Sequence, residues 1–260
     1  MALTAISAAV LYAIFIWWFS TGAILWLDRR PRATYRASLT AATLVASAAV
    51  YGLVRTLGDD TPTGAVLAFT CALALWGWHE LAFLTGLISG PRTSPCPPDA
   101  TGWRRFKLAA STLMFHEIAL ALTAAAILAL TWGAPNPIGG WTFAILLVSR
   151  LSAKLNLFFG VPNFSEEFFP EHLAYLTSYL RKSAASGLFP ASIAAGAALA
   201  GAEAWSAFHP GAGAFAAVGG SLLLALTLLA LIELAFMITP LPDAALWRWM
   251  LPPSAKSENG

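Results

Sequence analysis

Apolar stretches long enough to cross a membrane recur seven times along this chain, each closed by a short polar or turn-forming break. They cover about 4–27, 35–57, 64–88, 107–132, 138–160, 184–205 and 213–238. About 20 apolar residues span a hydrocarbon core of about 30 Å. The breaks carry clear punctuation: DRRPR, GDDTPTG, SGPRTSPCPPDATG and GAPNPIGG follow the first four stretches. Each stretch is expected to be a helix, because a backbone in lipid must satisfy its own hydrogen bonds. The sixth (SGLFPASIAAGAALAGAEAW) is rich in Gly and Ala, which suits close helix packing.

Composition turns this pattern into a class. The chain is 58% hydrophobic and 11% charged, where soluble domains average about 25% charged. The expected fold is an all-α, polytopic integral membrane bundle, a single transmembrane domain over 1–260 with no separate soluble part. A cleaved signal peptide is not expected: MALTAISAAV has no basic start, and its apolar run continues to Leu27. Cys71 lies in an apolar run and Cys96 in a Pro-rich loop, so neither a disulfide nor a paired thiolate site is expected. A net charge of +2 identifies no nucleic-acid partner.

The placement of the charges is more telling than their sum. With seven alternating spans, fourteen of the 15 Lys and Arg residues fall on one side and Arg55 alone on the other. The positive-inside rule then puts the N-terminus in the periplasm and the C-terminus in the cytoplasm. The tail LPDAALWRWMLPP is expected to rest at the interface.

Ionisable residues inside spans are costly and by default functional. The third span carries His79 and Glu80, the fourth His116 and Glu117, the fifth Arg150 and Lys154, and the seventh Glu233. Counting from the expected span ends puts His79, His116 and Arg150 at one depth, ~14 Å inside the cytoplasmic boundary at 1.5 Å per residue. A plain packing account competes with a functional one: Glu80 and Glu117 could pair with Arg150 and Lys154 as a charge-balancing plug that fixes helix register.

Three chemistries are open to such a layer. A zinc protease motif is absent, because HELAF and HEIAL lack the second histidine. A di-metal carboxylate centre has enough donors in His79, Glu80, His116 and Glu117, with Glu167, Glu171 and His172 of the following loop in second rank. Adjacent helix residues diverge by about 100°, however, so one His-Glu pair does not readily serve one metal. Axial ligation of a haem or bacteriochlorophyll metal needs one neutral imidazole per macrocycle, from His79 or His116. The loop GVPNFSEEFFPEHLAYLTSYL clusters Glu166, Glu167, Glu171 and His172. It reads first as an electrostatically tethered lid or docking elbow, and its residues 169–182 as an amphipathic helix lying on the bilayer. His209 is expected to be a solvated loop residue.

WGWHELAFLTGLISGPR, FHE, CPPDATGWRRF and LSAKLNLFFGVPNFSEEFFPEHLAYLTSYL, spread over about residues 76–182, resemble the photosynthetic complex assembly protein 2 family (PuhE) of phototrophic bacteria. The resemblance implies a protein encoded with the reaction-centre H subunit genes. It implies a role in assembling the reaction centre and light-harvesting complex, with their subunits and the lipid bilayer as partners, or in bacteriochlorophyll supply. It brings no catalytic residues. Site assignments therefore rest on the physical reading: His79 and His116 as ligands of a tetrapyrrole or metal ion, Glu80 and Glu117 beside them, and Arg150 and Lys154 balancing charge. A di-metal membrane oxidoreductase acting on a tetrapyrrole or isoprenoid, and a non-catalytic scaffold, are the alternatives.

Overall fold

A computed structural model describes residues 2–164 and 169–239. Its seven long helices are α1 (Ala2–Asp28), α2 (Tyr35–Thr56), α3 (Pro62–Leu84), α4 (Gly102–Thr131), α5 (Ile138–Phe159), α6 (Leu188–Phe208) and α7 (Ala214–Phe236). All seven are long and apolar enough to cross a membrane, one for each expected span. Local chemistry sets their ends. Thr61 caps α3 by accepting from the Gly64 N–H, with Pro62 in the first turn. Gly160 ends α5 at φ +130°, a conformation that a Cβ would strain.

Helices α3 and α7 form the centre. Their most apolar stretches are 56% and 50% buried, against 17–28% for the other five. Small residues allow this: Ala65, Ala68 and Ala72 of α3 and Gly219 and Gly220 of α7 are fully enclosed. A Cβ on Gly220 would press on the α6 backbone at Ala207. Tyr12 and Thr70 share a 2.7 Å hydrogen bond between α1 and α3. At the end away from most basic residues, Asn136 donates to the Asp59 carbonyl and ties two loops together.

Two segments depart from expectation. Helix α3 stops at Leu84 rather than near 88, and α4 starts at Gly102 rather than near 107. Gly86, at φ +78°, turns the chain back along α4. There the Ser89 carbonyl accepts from the His116 N–H at 3.0 Å, and the Arg92 N–H donates to the Ser111 carbonyl. Gly90 touches α4 so closely that a Cβ would collide with the Ser111 and Thr112 backbone.

The second departure is the elbow between α5 and α6. Its expected surface helix is a 3₁₀ segment, Glu171–Tyr179, packed on the bundle. Leu173, Leu176 and Tyr179 are buried, and their spacing of three is the period at which 3₁₀ side chains eclipse. Burial against Phe83 replaces the expected bilayer contact. A parallel bridge between Val161 and Lys182 closes the base of the elbow. The expected interfacial tail beyond residue 239 lies outside the described residues.

Candidate functional site: a charged cavity within the bundle

Helix α5 presents Arg150 and Lys154 one turn apart, and each meets carboxylates from neighbouring helices. Arg150 pairs with Glu80 of α3 at 3.5 Å and with Glu233 of α7 at 3.4 Å. Lys154 pairs with Glu117 of α4 at 2.5 Å and lies 5.9 Å from the Phe83 ring centroid. The expected pairing of these acids and bases is therefore present, and Glu233 joins it. Counts to the helix ends are unequal: His79 lies five residues before the end of α3 and His116 fourteen after the start of α4. Glu80, Glu117, Arg150 and Lys154 nevertheless meet through these pairs.

This ladder lines a cavity of about 810 Å³ between α1, α3, α4, α5 and α7. Aromatic rings form much of its wall, among them Trp17, Trp76, Phe83, Phe106 and Phe158. Glu80, Glu117, Glu233, Arg150 and Lys154 are its charged lining among the described residues. Arg150 and Glu233 keep 39% and 41% of their side-chain surface exposed, so the ladder faces the cavity rather than filling it.

The histidines lie off this cavity. His79 shares a 2.9 Å hydrogen bond with Thr123 through Nε2 and leaves Nδ1 unpaired among the described residues. His116 is 0% exposed, its ring 4.6 Å from that of Phe83, with neither nitrogen hydrogen-bonded among those residues. The divergence of neighbouring helix residues explains the division: as Glu80 and Glu117 turn to the cavity, His79 and His116 turn away. Among the described residues no three His, Cys, Asp or Glu side chains converge as a metal site.

The elbow closes the basic end of the cavity through Phe169, Leu176, Tyr179 and Leu180. Two arginines fasten it. Arg105 is buried and donates to the Tyr179 carbonyl at 2.5 Å while stacking on Phe158 at 4.5 Å. Arg92 donates to the Tyr179 hydroxyl, which in turn donates to the Ser94 carbonyl. The Cys96 N–H donates to Ser178. Burial of the Tyr175 hydroxyl pushes its pKa up. Glu171 is exposed and His172 packs near Gly86; neither lines the cavity. Glu166 and Glu167 lie outside the described residues. His209 bonds its own loop, Nδ1 lying 3.1 Å from the Pro210 carbonyl, and stacks on Trp205. Both cysteines are free thiols.

Asp28, at the end of α1, and Glu203 are buried acids not singled out in the sequence. Glu203 of α6 accepts from Thr227 of α7 at 3.0 Å. Its signal was plain enough: a single carboxylate inside the apolar run GAALAGAEAW.

No solved structure matches this chain. A Rhodobacter capsulatus relative, described as an uncharacterized 30.4 kDa protein in the puhA 5′ region, is 42% identical over 249 residues. The alignment covers 93% of this chain and 89% of the relative. Residues 3–258 match a family described as protein of unknown function (DUF3623). On both grounds the chain belongs to the DUF3623 family.

Proposed function

We propose that this protein is an assembly factor for the bacterial photosynthetic reaction centre and light-harvesting complex, of the PuhE type, and holds a membrane-soluble pigment or precursor in its cavity. The observation that carries this reading is the 810 Å³ cavity with a charged ladder inside an apolar bundle. Its volume falls in the range of small-molecule sites, about 300–1,000 Å³. The relative's position beside puhA and the sequence resemblance supply the photosynthetic context. Client subunits of the reaction centre or antenna are the partners in this reading. The membrane is the bacterial inner membrane, with the basic side cytoplasmic, as fourteen of 15 basic residues favour.

Aromatic walls that include Trp76, Phe83 and Phe158 support a flat bacteriochlorophyll-like macrocycle as the occupant, with its polar substituents towards the ladder. Axial ligation by His79 or His116 would require their rings to turn towards the cavity. A di-metal oxidoreductase is less well supported, because Glu80 and Glu117 are engaged by Arg150 and Lys154. A pure scaffold would explain the ion pairs and leave the cavity without a purpose.

Deletion and complementation in a phototrophic bacterium test the reading. Loss of the gene is expected to lower reaction-centre and antenna absorbance together, and the wild-type gene to restore both. Unchanged pigment-protein levels after deletion would refute it. The spectrum and metal content of the purified protein separate the alternatives: pigment for a carrier, stoichiometric iron for the oxidoreductase, neither for a scaffold.

A further inference from the structure

The ladder's charges do not cancel. Three carboxylates (Glu80, Glu117, Glu233) face two cations (Arg150, Lys154), and no other charged side chain among the described residues lines the cavity. Arg150 is divided between two acids, and the Glu233 and Glu117 side chains remain 41% and 28% exposed. An excess carboxylate in a low-dielectric site is costly unless a donor or cation meets it. With Lys154 and Glu117 paired one to one, the surplus carboxylate lies on the Arg150 side, where Glu233 is more exposed than Glu80.

Access is lateral. The elbow closes the basic end, whereas Met114 and Ile118 of α4, Leu151 of α5 and Ile232 of α7 both line the cavity and are 40% to 50% exposed. These exposed apolar side chains offer a lateral route by which an apolar chain would pass into lipid.

We infer that the cavity selects a membrane amphiphile with a cationic or hydrogen-bond-donating head, seated against Glu233, with its apolar chain leaving between α4 and α7, and that it rejects anionic heads. The inference rests on the cavity being a binding site, as in the assembly reading, but not on a pigment as its occupant, and adds the chemistry of the head and the route of entry.

The test uses three photoactivatable probes of equal chain length carrying a diazirine near the chain end: octadecylamine, octadecanol and octadecyl sulfate. Each is offered to the full-length protein in phosphatidylcholine nanodiscs, and crosslinks are mapped by peptide mass spectrometry. Amine and alcohol are expected to label the Met114, Ile118, Leu151 and Ile232 region at least about tenfold more than the sulfate. Glu233→Gln is expected to reduce amine labelling while alcohol labelling persists, the alcohol serving as a control for folding. Equal labelling by sulfate and amine, or labelling confined to outer α2 positions such as Leu44 and Val45, would overturn the inference. The assay contains no photosynthetic client, so it can fail while complementation succeeds, and the reverse.

Discussion

Arg105, near the start of α4, reaches the backbone carbonyl of Tyr179, 74 positions away, and so pins the elbow to the bundle. A second contact to the Phe158 carbonyl at 3.4 Å and the stacking on that ring use the full width of the guanidinium. Arg105→Ala is expected to cost about 1.5–3 kcal/mol, the range for a charged hydrogen bond. Thermal melts in detergent would show the loss, with new proteolytic cuts inside the elbow. Lysine in its place offers a point charge and should restore only part of the stability. Unaltered melting and cleavage in Arg105→Ala would show that the pin is idle.

Gly90 makes the sharpest steric prediction. Because the obstruction is backbone at Ser111 and Thr112, no rotamer change relieves it. Gly90→Ala should destabilise by about 1–3 kcal/mol as an overpacking substitution. Gly201→Ala, inside α6 where nothing stands within 4 Å, is the matched control and should be neutral or stabilising by up to about 1 kcal/mol. Equal melting temperatures for the two variants would contradict the close approach.

Lys154 and Glu117 should behave as a unit. Removing one partner strands the other, at a cost on the order of 2–3 kcal/mol, below the 3–5 kcal/mol of a fully dry pair because both side chains are partly exposed. The double variant Lys154→Met with Glu117→Gln should recover most of that loss. A double-mutant cycle on unfolding in mixed micelles reads the coupling, and strict additivity would mean the two groups act independently.

For the histidines the competing accounts give opposite results. With neither ring nitrogen bonded among the described residues and Phe83 alongside, His116→Leu, which is close in volume, should leave stability unchanged or raised. If His116→Ala or His79→Ala strips pigment or metal from the purified protein, those rings are ligands after all. If both variants keep their cofactor and support wild-type levels of photosynthetic complex, the cavity ladder stands as the polar contact.

Glu203 offers a subtler check. Its Oε1 accepts from Thr227 inside the α6–α7 contact, and Oε2 is unpaired among the described residues. Glu203→Gln keeps the acceptor and removes a charge, so stability should hold or improve, whereas Thr227→Val should cost about 0.6 kcal/mol, typical of interhelical bonds in membranes. A large loss in Glu203→Gln would instead assign the carboxylate a role of its own.

Hydropathy was enough to read the helices, because seven apolar runs separated by Gly, Pro and Asp leave little choice of partition. It could not mark where α4 begins, since Arg104 and Arg105 continue a helix as well as leucine does while reading as loop. The pairing of Glu80 and Glu117 with α5 was legible from charge alone. The aim of His79 and His116 was not, because it depends on helix rotation, which packing of α3 against α5 and α7 decides. The elbow was misread for a related reason. A spacing of three among Leu173, Leu176 and Tyr179 fits both an amphipathic α-helix and a 3₁₀ turn, and only burial against Phe83 distinguishes them.

The order of the ladder along the chain bears on how the protein enters its membrane. Arg and Lys near a helix centre each cost about 2.5–3.5 kcal/mol to insert, so α5 with two of them is a poor span by itself. By the time α5 leaves the ribosome, Glu80 and Glu117 have already been delivered on α3 and α4, and both cations find counter-ions waiting. Glu233 arrives two helices later and completes the set. Synthesis from N- to C-terminus thus makes earlier helices the acceptors for a later one, and a chain shuffled to present α5 first would stall at the translocon despite an identical composition.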